Sequence, residues 1–129
     1  MPSETLEAFD TQLASILNEI DQLLEARYGQ QFRLRPTRPA SGSAANPQYD
    51  GLFSVIANFS AGIGSQYGAG YTLDLRATTS DPIPQELQLQ WENLMVETLR
   101  KRLPEVFPHR VLHVAKDFFG WKVYGDLSL

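Results

Sequence analysis

One line of apolar side chains constrains this chain more than any other feature. Between residues 4 and 28, Leu6, Phe9, Leu13, Ile16, Ile20 and Leu23 recur at intervals of three and four, and Leu17 and Leu24 widen the line. That spacing is the 3.6-residue period of an amphipathic helix. Ser3 stands where an N-cap belongs, Glu4 and Glu7 suit the positive helix end, and Gly29 offers a left-handed C-cap. These eight side chains, at about 1.5–3 kcal/mol each, represent gross burial of order 10–20 kcal/mol. Such a face must lie on a sheet, on a partner, or on both.

The rest of the chain supplies the sheet. Gln31–Arg35 alternates, Phe32 and Leu34 against Arg33 and Arg35, and predicts a short half-buried strand. Residues 36–48 hold three prolines among small polar residues and predict a loop. Residues 51–60 and 71–79 predict two strands of a hairpin, with Tyr71, Leu73, Leu75 and Ala77 alternating with polar residues. A second helix opens at Asp81 with Pro82 and Pro84. It buries Leu87, Trp91, Leu94, Met95, Thr98, Leu99 and Leu103, carries Arg100, Lys101 and Arg102 in its last turn, and stops at Pro104. Arg110–Lys116 and Phe119–Tyr124 predict two final strands around an Asp117–Phe118 turn. The expected fold is therefore α+β, in the order α-β-β-β-α-β-β. A mainly antiparallel five-stranded sheet carries two helices packed on one face.

With 129 residues, 43% hydrophobic and 20% charged, residues 1–129 read as a single α+β domain. The absence of cysteine excludes disulfides, thiol catalysis and thiolate metal sites. No basic-then-apolar leader follows Met1, and no apolar run approaches the roughly 20 residues that span a bilayer. The reading predicts a soluble cytoplasmic protein without a membrane partner.

Motifs for chemistry are few. Gly62, Gly64, Gly68 and Gly70 crowd the hairpin tip. Their spacing is not G-x-G-x-x-G, and a strand follows where a phosphate cradle needs a helix N-terminus. A kinase-type loop would need a lysine on the next strand, and the three lysines, Lys101, Lys116 and Lys122, all lie elsewhere. A turn with positive φ is the plain reading. A ligand-contacting tip with Tyr67, Tyr71 and Arg76 is the alternative. His109 and His113 fall on a β-rich run, where four residues span roughly 13 Å, too far for one ion. No G-x-S-x-G is present, and Glu86, Glu92 and Glu97 read as a solvated helix face. No catalytic residue, metal ligand or cofactor is assigned.

Arg33, Arg35 and Arg38 form the one basic cluster without nearby acids, a candidate anion or partner contact. A formal charge of −4 argues against nucleic acid. The α-β-β-β-α opening is shared with double-stranded-RNA modules, but their basic loop and lysine-rich helix start are missing.

The full element order resembles that of the small acidic dimeric chaperones of type III secretion. That resemblance implies a homodimer formed through the second helix or a neighbouring strand. The reading that follows is a non-catalytic, macromolecule-binding domain of the protein-interaction or chaperone-like kind, with a protein partner or a homodimer. The alternative is a small-ligand binder or enzyme using the glycine-rich hairpin 62–71.

Overall fold

The computed structural model describes residues 2–45, 49–118 and 120–127. Residues 46–48 of the predicted loop, Phe119 of the predicted last strand, and the side chains of Ser3, Glu4, Leu6 and Glu7 lie outside the described residues. The elements are α1 (Pro2–Tyr28), β1 (Phe53–Ser60), β2 (Gly70–Ala77), α2 (Gln85–Val106), β3 (Leu112–Asp117) and β4 (Gly120–Gly125). They form one four-stranded sheet in the order β1-β2-β4-β3, with every neighbouring pair antiparallel.

The predicted fifth strand is absent among the described residues. Phe32 and Leu34 do turn inward onto the core, Phe32 with its ring edge-on to Trp91 at 5.8 Å. The alternation thus records one-sided burial correctly. A strand also needs a ladder, and this segment makes one bond to the end of the hairpin, from Arg35 N–H to the Thr78 carbonyl at 3.3 Å. Pro36 then removes the next donor. The element order is α-β-β-α-β-β, so the order that carried the chaperone resemblance is not that of the chain.

Register explains how one face becomes the core. Phe53, Val55, Ala57 and Phe59 of β1 stand opposite Ala77, Leu75, Leu73 and Tyr71 of β2. Tyr71 meets Val123 of β4, which meets Val114 of β3. With a side-chain period of two, these residues share a face. Both helices lie on it: Phe9 of α1 stacks on Tyr71 at 5.4 Å, and Trp91 of α2 meets Phe53 edge-on at 4.9 Å. The Trp91 indole N–H is buried with no hydrogen-bond partner among the described residues.

Details within the elements differ from the reading, and α2 begins at Gln85 rather than at Asp81, with Pro84 as its extended N-cap. α1 already includes Ser3, with Pro2 tolerated in the first turn. Its buried line runs Phe9, Leu13, Ile16, Leu17, Ile20 and Leu24, whereas Leu23 is 40% exposed. Gly29 is not left-handed. A Cβ there would sit 2.6 Å from the Glu25 carbonyl, so close approach rather than φ selects glycine. α2 continues past Pro104 to Val106, because proline's φ is helical and the Phe107 N–H still closes on the Leu103 carbonyl at 2.8 Å. Arg100–Arg102 therefore precede the last turn.

Candidate functional site

β1 is an edge strand. The Phe53 N–H donates to Glu25 Oε1 at 2.8 Å and its carbonyl accepts from the Arg38 guanidinium at 3.4 Å, so the Phe53 backbone faces away from β2. The neighbouring Leu52 carbonyl bonds instead to Thr78 N–H of the hairpin. Alternation along an antiparallel ladder then turns the N–H and C=O groups of Val55, Ala57 and Phe59 outward as well. Among the described residues no partner meets them. Beside them, between β1 and α1, lies an open groove of about 380 Å³. Its floor is buried Leu13, Leu17 and Val55; Asp10, Asn18 and Phe59 rim it. Phe59 is 61% exposed at one end, its ring edge-on to Tyr71 at 5.6 Å. The Tyr71 hydroxyl donates to Asp10, and burial together with that bond raises its pKa, so it remains a donor across the physiological range.

The Phe53 end of the same strand is closed by charge. Glu25 and Arg38 bond its backbone as a neighbouring strand would. Arg38 also donates to the Gly51 carbonyl at 3.0 Å and the Asp50 carbonyl at 2.8 Å. The Asp50 carboxylate accepts the Gly42 and Ala44 N–H groups at 3.0 and 2.8 Å, tying the proline-containing loop to β1. Gly51 takes φ +68, and a Cβ there would lie 2.3 Å from Glu25 Oε1. Asp21, only 3% exposed, lies near this cluster. Burial first, then Glu25 and Asp50, push its pKa to about 7 against the opposing pull of Arg38. Burial also raises Glu25, opposed by the N–H groups of Phe53 and Leu52.

The glycine-rich tip folds down onto the outer face of the sheet. Lys122 of β4, 1% exposed, donates to Ser65 Oγ at 3.1 Å and to the Gly68 carbonyl. Ser65 Oγ donates to Asp117 at 2.6 Å, and Tyr67 stacks on Tyr124 with centroids 4.5 Å apart. Gly62 has φ +87, and a Cβ on it would meet the Gly68 carbonyl carbon at 2.2 Å, so the loop closes on itself only with glycine there. Gly64 and Gly68 also have positive φ, and Gly70 begins β2. Tyr67 and Tyr71 therefore lie on opposite faces, and Arg76 pairs with Asp74 at 2.8 Å on the outer one. The structure does not bring the candidate ligand residues together.

Nor does it gather the arginines. Arg33 pairs with Asp81 at 3.0 Å, which raises its pKa and lowers that of Asp81. Arg38 turns in to β1, and the Arg35 side chain is exposed. Glu92 departs from the solvated face expected of it: it is only partly exposed and accepts the Trp121 indole N–H at 2.9 Å. His113 lies against Tyr124 with ring centroids 5.2 Å apart, and His109 is exposed after α2. Among the described residues no cluster of three potential ligands is placed to hold a metal, and no helix is long and apolar enough to cross a membrane.

Sequence reasoning missed the β1 edge, the Glu25–Arg38 closure and the Lys122 tie. The signal for the first was present: FSVIANFS contains no charge, proline or glycine. What it lacked was the strand order, which makes β1 an edge and seats β4 beside β2.

A protein family described as "Uncharacterised protein" matches residues 4–125. A relative from Borreliella burgdorferi (strain ATCC 35210 / DSM 4680 / CIP 102532 / B31), described as "Uncharacterized protein", is 32% identical over 117 residues, 91% of each chain. No solved structure matches.

Proposed function

The chain belongs to this family of uncharacterised proteins, and from its own surface we propose that it is a non-catalytic protein-interaction domain that receives an extended segment along β1. The observation that carries this reading is the uncharged outer edge of Val55–Phe59 beside an apolar groove. Main-chain groups on such an edge supply affinity, and alternate side chains of the incoming strand find the groove. Edges of this kind are normally blunted by charge, proline or a bulge, since an unguarded one pairs indiscriminately. A natural chain that leaves one open is using it.

Amide hydrogen exchange tests the reading. The Val55, Ala57 and Phe59 N–H groups should gain about tenfold or more protection when excess octapeptide of alternating valine and threonine is added, or as protein concentration rises. Exchange at the unprotected rate under both conditions would overturn it, as would protection confined to the 61–69 loop.

A further inference from the structure

We infer that the segment received along β1 is β1 of a second copy, paired antiparallel about a two-fold axis through Ala57. This rests on the strand-addition reading above and names its partner. Antiparallel pairing centred on Ala57 sets Val55 opposite Phe59 of the partner subunit, and the converse. The outward-facing groups are those of residues 55, 57 and 59, so this register makes every facing pair a hydrogen-bonded one, about six bonds in all.

The side chains fit the same operation. Each copy carries one protruding ring, Phe59, and one hollow, the groove floored by Val55, Leu13 and Leu17. The register that joins the backbones carries each Phe59 over the other copy's Val55, into that hollow. A knob and its own hole on one patch, spaced for a two-fold, is the signature of an isologous contact.

Charge agrees. Val55–Phe59 is uncharged, so self-pairing sets no like charges face to face. An unrelated extended partner would also satisfy the backbone, but nothing in the groove selects one as this self-fit does. The product is an eight-stranded sheet whose outer strands are the two copies of β3.

Light scattering across a concentration series, run on the full chain, decides the matter. Wild type should have twice the 14.5 kDa chain mass. Ala57→Pro removes the central pair of bonds at a position whose N–H does not serve β2, and should raise the dissociation constant about 100-fold. Phe59→Glu, at an exposed site, should do the same without depending on how the proline variant folds. The chain has no cysteine of its own, so Ala57→Cys gives a clean covalent readout. Paired Cα atoms about 5.5 Å apart permit a disulfide, whereas Gln90→Cys on the exposed face of α2 should give none. A monomer at every concentration overturns the inference, as does a dimer untouched by both substitutions and not trapped by Ala57→Cys. If the amides gain protection only with the octapeptide, strand addition stands and self-pairing falls. If they never gain it, both fall.

Discussion

β1 and β3 are both outer strands, yet they differ where an outer strand meets solvent. β3 reads LHVAKD; β1 reads FSVIANFS. On β3 the Arg100 guanidinium of α2 donates to the Val114 carbonyl at 2.8 Å, and the Tyr67 hydroxyl reaches the Lys116 carbonyl at 3.4 Å. Lys116 and Asp117 add charge to the same strand. On β1, among the described residues, only Phe53 is treated so, by Glu25 and Arg38. The molecule thus has the means to close an edge and applies them to one and a half of its two. Selective closure leaves the remaining stretch free for the pairing proposed above.

The largest expected effect comes from breaking the closed end of β1. Phe53 is fully buried against Trp91, so Phe53→Ala should destabilise the chain by about 3–5 kcal/mol in denaturant unfolding. A loss below about 1 kcal/mol would mean that the Phe53 end is no anchor and the two halves of β1 do not differ as described.

A second test uses the proton balance of the closure. Ionised Asp21 is disfavoured in the folded chain, whose pKa for this group rises from 3.8 to about 7. Folding therefore takes up a proton in that window. The penalty is absent below about pH 4, grows as pH rises, and is complete above about pH 7. Asp21→Asn should stabilise by about 1–3 kcal/mol at pH 8, should be neutral at pH 4, and should flatten the slope between them. Equal effects at both pH values would remove the carboxyl from the account.

The smallest effect in stability sharpens the comparison most. Arg100→Ala should cost about 1 kcal/mol in thermal unfolding, less than a buried hydrogen bond to a charged group because Arg100 is exposed. It should also leave β3 open, so that light scattering records species larger than those of wild type. A variant that unfolds earlier but assembles no further would show that Lys116 and Asp117 suffice as guards.

Much of this architecture was legible in the sequence, and the misses share a cause. The lines of α1 and α2 could be read because a 3.6-residue period reports burial directly. Alternation at Phe32 and Leu34 reported burial equally well, but pairing depends on a partner that no local pattern names. The site was hidden for the same reason. Nothing in Phe53–Ser60 says which strands flank it, and nothing near Lys122 says that β4 lies beside β2, where its amine reaches the glycine-rich tip. Pro104 misled because proline forbids a donor, not a helical φ, and two further residues fit.

Trp91, with its indole N–H buried and unpartnered among the described residues, stands apart from Trp121, whose N–H rests on the Glu92 carboxylate. These are the two tryptophans of the chain, and their surroundings give them different colours. An indole in dry apolar surroundings emits at shorter wavelength than one bonded to an acid near water. Excited together, they form an intrinsic two-channel optical gauge, one channel set in the aromatic heart of the protein and the other at the contact of β4 with α2.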